Sequence, residues 1–240
     1  MIANIDHRIS ALPQKLQPQA APGTWEAALR ELPQAGKTLN AGAGRGGLSW
    51  LLEGSGHTVT SVDLHPDHFA ADGMECMFAD LTQALPFEDA SFDTVLAVEV
   101  AEHLENPWLF LREAMRVLRP NGMLVFTSPN VVNLASRLKY LKSGVLPYFR
   151  TESFEGCYHV TPIFPWSVER WCTTSTAVLD KVTYSRVDWP TRTDLPRFYS
   201  GGIIRHLKDM IPLNSLTGEI ACYVIRKTGP AKVNVGLHYA

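Results

Sequence analysis

The chain has 240 residues, 45% of them hydrophobic and 19% charged, which supports one core of ordinary size and excludes a disordered chain. A formal net charge of -2 does not suggest a protein built to coat nucleic acid, although it leaves room for a local basic patch. The N-terminus lacks a basic-then-apolar leader pattern, and no stretch approaches 18 uncharged apolar residues, so the chain reads as cytoplasmic.

Residues 1–36 read as a proline-bearing helical extension, with a helix over Thr24–Leu32 that Thr24 is placed to cap. From Lys37 short apolar runs alternate with helical patterns, the signal of βαβ units around a parallel sheet. The expected strands are Thr38–Ala41, Thr58–Val62, Glu75–Ala79, Thr94–Val98 and Met123–Ser128. Helices are expected at Gly46–Glu53, Pro66–Ala71 and Pro107–Leu118. Arg119-Pro120-Asn121-Gly122 is a turn that stops the last of these and launches the next strand. A basic amphipathic stretch (133–142), a loop with Gly144, Pro147 and Gly156, and a helix from Pro165 to Thr174 follow. Late strands at Ala177–Arg186 and Glu219–Arg226 complete one domain over 37–228. Acceptor-side insertions are expected at about 130–165 and 189–215, with a tail at 229–240. The cysteines (Cys76, Cys157, Cys172, Cys222) are dispersed and form no Cys-x-x-Cys pair, which argues against a disulfide framework or a thiolate zinc site.

Leu39-Asn40-Ala41-Gly42-Ala43-Gly44-Arg45-Gly46-Gly47 lies where a strand turns into a helix, and Gly42, Gly44 and Gly47 satisfy Gly-x-Gly-x-x-Gly. Glycines there permit a tight turn and the close approach of a nucleotide. Asp63, with Leu64, ends the next strand, where a carboxylate accepts both ribose hydroxyls; a cap or turn before Pro66 is the plainer reading. Asp80, before Leu81, places a second carboxylate where an adenine amino group could donate. This much serves an NAD site as well as an S-adenosylmethionine site.

The ordered set continues through 85–93, Glu99-Val100-Ala101-Glu102-His103-Leu104 and Val117-Leu118-Arg119-Pro120-Asn121-Gly122. From Leu39 to Asn130 the chain resembles the class I S-adenosylmethionine-dependent methyltransferases. It is most similar to the branch holding ubiquinone-biosynthesis O-methyltransferases and many natural-product and glycan methyltransferases. The resemblance implies an α/β, Rossmann-like, seven-stranded, mostly parallel sheet with helices on both faces and the last strand antiparallel. It also implies cofactor contacts at Asn40, Ala41, Gly42, Gly44, Gly47, Asp63, Leu64, Asp80, Leu81, Val98 and Glu99. Asn40 departs from the family, which usually carries Asp or Glu there; an amide loses charge attraction for the cofactor's ammonium.

Glu99, Glu102 and His103 converge on one side if a helical turn begins there. Two carboxylates and an imidazole suit Mg²⁺ or Mn²⁺. The metal-dependent RNA 2′-O-methyltransferases of the small-RNA pathway and the ubiquinone O-methyltransferases have a similar Glu-x-x-Glu-His followed by a later His. The likeness implies a divalent ion on Glu99, Glu102, His103 and His159, and an acceptor with adjacent oxygens, such as a sugar diol or catechol. His103 or His159 as a metal-free base, with Glu102 in support, and a purely structural role are the competing readings.

On the acceptor side, Arg137, Lys139, Lys142 and Arg150 interleave with Leu138, Tyr140, Leu141, Val145, Tyr148 and Phe149. That mix suits an anionic membrane or a lipid-linked substrate, or else a surface helix with a solvated basic side. Trp166, Trp171 and Trp189 offer faces for a planar or sugar acceptor, or core. The run 128–133 resembles a segment of cell-envelope polysaccharide methyltransferases and favours a small, saccharide-containing hydroxyl acceptor. A nucleic-acid 2′-O- or N-methyltransferase, a non-catalytic methyltransferase-like binding module and a nicotinamide oxidoreductase are the rivals.

Overall fold

The structure is a computed structural model that describes residues 4–149, 158–185, 215 and 217–228. The Cys157, Arg150, Arg186 and Trp189 readings, the 229–240 tail and the 189–215 insertion apart from Ser215 lie outside the described residues. One seven-stranded sheet runs in the order β3-β2-β1-β4-β5-β7-β6. The strands are β1 (Gly36–Ala41), β2 (His57–Asp63), β3 (Cys76–Phe78), β4 (Phe92–Ala97), β5 (Leu118–Pro129), β6 (Ala177–Tyr184) and β7 (Ile220–Lys227). β7 is antiparallel to both neighbours, and the β1–β5 pairings are parallel.

Alternation along the strands divides the core into two layers. Leu39, Ala41, Val95, Ala97, Leu124, Phe126 and Tyr223 face one cluster with α4 (Pro107–Val117) and α6 (Pro165–Thr173). Leu96, Val125, Cys222 and Val224 face the other, with α1 (Ile5–Ser10), α2 (Thr24–Leu29) and α3 (Gly47–Glu53). Because both faces are covered, the central strands read as continuous apolar runs.

Several expectations need correction. Pro66–Ala71 is no α-helix but a 3₁₀ turn over Pro66–His68; Phe69 is extended, and its ring sits where a Cβ on Gly46 would reach 2.6 Å from it. Thr24 does not cap α2: Gly23, at φ +81, is the N-cap, and Thr24 is fully buried with its hydroxyl unpartnered. The β5 strand starts at Leu118 rather than Met123. The pairing with β4 jumps from Phe92↔Leu118 to Thr94↔Met123, so Arg119–Gly122 bulges within the strand, with Asn121 at φ +65. The basic stretch forms α5 (Leu134–Ser143), capped by the Asn133 side chain and closed by Gly144 at φ +69.

At the opposite end of the sheet from the glycine-rich loop, His57 is buried and its Nδ1 is 2.9 Å from Thr38 Oγ1, while Nε2 has no partner. Burial holds its pKa below the ordinary histidine value. The folded state therefore keeps His57 neutral, whereas the unfolded chain takes up a proton near pH 6.5. Its contribution to stability is full above about pH 6.5 and declines by up to about 1.4 kcal/mol per pH unit below that. Urea unfolding between pH 7.5 and 5 checks this: the wild-type stability should fall more steeply than that of His57→Gln.

Candidate functional site

β1 ends at Ala41 and α3 begins at Gly47, so the intervening loop stands at the carboxyl edge beside the end of β4. The Gly42 and Ala43 amides both donate to the Val62 carbonyl, at 2.9 and 3.0 Å, which folds the loop back over β2. Gly42 has φ +76, and a Cβ there would lie 2.4 Å from Val100 Cγ2. Gly44 has φ +52 and faces open space. The third glycine behaves differently from expectation. A Cβ on Gly47 would strike the Leu16 carbonyl at 2.2 Å and the Trp25 ring at 2.6 Å, so its smallness serves the N-terminal segment.

The Asp63 carboxylate accepts from the Gly44 amide through Oδ2 and the His65 amide through Oδ1, each at 2.8 Å. Each oxygen keeps a lone pair for a ribose hydroxyl. Asp80 Oδ1 accepts from the Thr82 hydroxyl and amide, which hold its pKa below the ordinary carboxylate value. Leu64, next to Asp63, is half exposed, and Phe78, the register partner of Asp63, is 62% exposed. An apolar ring exposed between two carboxylates suits the face of a purine. The sequence pattern alone did not bring out Phe78; its signal was a large apolar residue on the short edge strand.

Other expected contacts fall elsewhere. Asn40 is fully buried and donates through Nδ2 to Ser49 Oγ on α3 at 2.9 Å, and Ser49 is hydrogen-bonded to Ser61. Strand alternation turns it to the α3 face, beneath the loop. The side chains of Ala41 and Leu81 are core, and Val98 packs in the α3-side core while also lining the cleft.

The second half of the site follows β4. Glu99 adopts φ +54, its amide donates to Thr127 Oγ1 at 2.9 Å, and burial raises its pKa while a backbone N–H from Ala21 opposes the rise. A 3₁₀ turn then spans Ala101–His103. The Glu102 carbonyl accepts from the Val160 and Thr161 amides at 2.8 and 3.0 Å, and Thr161 Oγ1 donates to the Leu104 carbonyl at 2.6 Å. Those bonds set His159 against His103, with ring centroids 4.6 Å apart.

Glu102, His103 and His159 thus converge, each with one ligand atom within 4.8 Å of the others. Glu99 does not join them, because its left-handed backbone precedes the turn. Glu102 is fully buried with neither carboxylate oxygen hydrogen-bonded, and burial drives its pKa well above the ordinary value. His159 is pushed down to about 4 by burial and by His103, and its Nδ1 is buried without a partner. A buried acid with two idle oxygens beside two imidazoles fits a divalent cation in the chemistry of its donors.

A cleft of about 570 Å³ joins the halves, lined by Gly42, Gly44, Glu99, His103, Tyr148 and His159 among others. Tyr148, at φ +68, was not expected as a site residue; only its place in an aromatic run marked it. Trp166 is exposed and Trp171 is packed in the core, so their spacing on α6 puts them in different environments.

Residues 39–126 match the family model described as a methyltransferase domain. Over 110 residues the chain is 34% identical to the 2-methyl-6-phytyl-1,4-hydroquinone methyltransferase of Synechocystis sp., covering 42% of this chain and 35% of that protein. Over 103 residues it is 34% identical to a ubiquinone biosynthesis O-methyltransferase of Caulobacter sp., covering 39% and 41%. The match thus spans less than half the length of either relative. The fold is shared with a SAM-dependent methyltransferase of Thermotoga maritima (TM-score 0.60, 17% identity, 86% of this chain and 88% of that one). It is also shared with one of Archaeoglobus fulgidus (TM-score 0.57, 18% identity, 80% and 86%). Over residues 39–126 the chain is thus similar to a methyltransferase domain, on a fold that SAM-dependent methyltransferases share.

The two loop glycines should respond differently to alanine. Gly42→Ala adds a left-handed alanine and a clash with Val100, and should cost about 3 kcal/mol in urea unfolding. Gly44→Ala should cost only about 1–2 kcal/mol. Its Cβ enters the space open to a ligand, so calorimetry should show S-adenosylhomocysteine binding weakened by about tenfold or more, about 1.4 kcal/mol.

Proposed function

We propose that this chain transfers the methyl group of S-adenosylmethionine to a hydroxyl of a small acceptor with adjacent oxygens, of sugar-diol or catechol type. The observation that carries this reading is the cluster of His103 and His159, which line the same cleft as Gly42 and Gly44, with buried Glu102. Methyl transfer is an in-line displacement at a sulfonium centre, so the protein's task is alignment and removal of the acceptor's proton. A thiol or amine needs little help with that step; a hydroxyl needs a base or a cation. The similarity to the Caulobacter ubiquinone biosynthesis O-methyltransferase supports the same choice.

Within the cluster, His103 is exposed to the cleft and stands as the group that takes the acceptor's proton. His159, neutral at pH 7, and buried Glu102 fix the surroundings of that proton. In the alternative to a His103 base, Glu102, His103 and His159 would hold a divalent cation, which would lower the acceptor's pKa. The end of the cleft at Gly44, whose amide donates to Asp63, would take the nucleoside.

We read the acceptor as either free or lipid-linked. α5 leaves Leu141 84% exposed and Tyr140 half exposed, beside Lys139 and Lys142, which favours contact with an anionic lipid surface. Among the described residues no helix is long and apolar enough to cross a membrane.

Chelator-treated protein saturated with S-adenosylhomocysteine should give one-site heat with Mn²⁺, lost in His103→Ala and His159→Ala. Transfer to a catechol probe should fall by about 10²–10⁴ in His103→Ala. No heat in the wild type removes the cation and leaves the histidine base, whereas failure to bind S-adenosylhomocysteine overturns methyl transfer itself. For the lipid-linked acceptor, sedimentation with anionic liposomes should fall on Leu141→Glu; no wild-type binding overturns that route.

A further inference from the structure

We infer, on the reading that His103 and His159 face the acceptor, that Tyr148 is the residue by which this chain selects an aromatic diol of catechol type over a saccharide. Its ring forms one wall of the acceptor end of the cleft, against His159.

Tyr148 stands where the local backbone calls for glycine. α5 closes at Gly144, whose amide donates to the Tyr140 carbonyl at 2.7 Å. Further on, the Phe149 amide donates to the Leu146 carbonyl at 3.3 Å, so Leu146-Pro147-Tyr148-Phe149 is a β-turn. Pro147 takes its second position and Tyr148 its third. Tyr148 has φ +68, the value that a type II turn requires there, and glycine or asparagine is the usual residue. A bulky side chain in the left-handed region is strained and persists only where its surroundings determine it. Such a position is held for what its side chain does.

The turn sets two consecutive rings on one imidazole. In an extended chain neighbouring side chains point to opposite faces. Here the Tyr148 and Phe149 ring centroids lie 6.5 and 5.6 Å from that of His159, tilted by 50° and 48°. His103 closes a further side at 4.6 Å, nearly perpendicular to His159. Of the two turn rings, Tyr148 lines the cleft together with Glu99, His103 and His159, and it is 42% exposed. Its open face is offered to an acceptor whose hydroxyl reaches His103. Aromatic rings pair favourably at such distances, offset or edge to face. A planar ring with adjacent hydroxyls can give its face to Tyr148 and its polar edge to His103. A saccharide carries hydroxyls all round its rim, and those pressed on the aromatic wall would lose water without gaining a partner.

The test titrates protein saturated with S-adenosylhomocysteine with catechol and with cis-1,2-cyclohexanediol, which share adjacent hydroxyls and differ in the aromatic face. Calorimetry compares wild type, Tyr148→Phe and Tyr148→Gly. The wild type should bind catechol the more tightly. That preference should fall by about three- to tenfold in Tyr148→Gly and stay within about twofold in Tyr148→Phe, the factor that one aromatic contact supplies. Tyr148→Gly suits the turn and should hold or raise Tm, whereas a ring kept for packing alone would lower Tm on its loss. Under turnover the change should appear in KM for catechol rather than in kcat. Equal binding of the two diols by the wild type overturns the selection. An unchanged preference in Tyr148→Gly, or weakened S-adenosylhomocysteine binding in that variant, overturns the role of Tyr148 with the acceptor reading intact. Loss of preference in Tyr148→Phe assigns it to the hydroxyl and overturns the aromatic wall. If neither diol binds while S-adenosylhomocysteine does, the acceptor reading is overturned and this inference with it.

Discussion

The structure depends on the divergence of chain direction between β1 and β4. These strands are parallel neighbours, paired at Thr38↔Thr94, yet the chain leaves β1 toward β2 and β3 and leaves β4 toward β5. Loops that depart in opposite directions from adjacent strand ends cannot cover the gap between them, and the gap becomes the ligand crevice. Each functional element is measured from that gap. Gly42 and Gly44 come off β1, Asp63 off β2, and Val98 through His103 off β4. The glycine-rich loop has no freedom in this arrangement, because the Val62 carbonyl holds it on one side and Val100 presses on Gly42 from the other.

The second constraint on the site is electrostatic. A carboxylate buried without partners carries a penalty of several kcal/mol in its charged form, and Glu102 is in that position. A proton or a cation on Glu102 would relieve that penalty, and the proposed transfer to a hydroxyl is compatible with either. The backbone of the same residue staples residues 160 and 161, so one short turn both builds the histidine pair and supplies the buried acid.

Strand positions were legible because apolar runs bounded by turns are what a sheet covered on both faces requires. The failures were local and physical. Pro66–Ala71 looked helical, but the Asp63 carboxylate holds the His65 amide and leaves only a 3₁₀ turn before Phe69 extends over Gly46. Asn40 was placed with the cofactor on resemblance, although alternation with Leu39 and Ala41 already turned it toward α3. Gly47 satisfied a nucleotide-binding spacing but answers to Leu16 and Trp25, contacts remote in sequence that no spacing reveals. Glu99 was grouped with Glu102 and His103 by assuming a helical turn from position 99, whereas the 3₁₀ turn starts two residues later. His159, expected on resemblance from a distant loop, does reach the cluster, through the Val160 and Thr161 amides bonded to Glu102 rather than through any local pattern.

The most direct test of this account is the crystal structure of the chain with S-adenosylhomocysteine. The account places the ribose hydroxyls on Asp63, the purine against Phe78 and Asp80, and the amino acid end at Glu99, with the sulfur toward His103 and His159. A nucleoside bound away from Asp63, or a sulfur turned from the histidine pair, would contradict it.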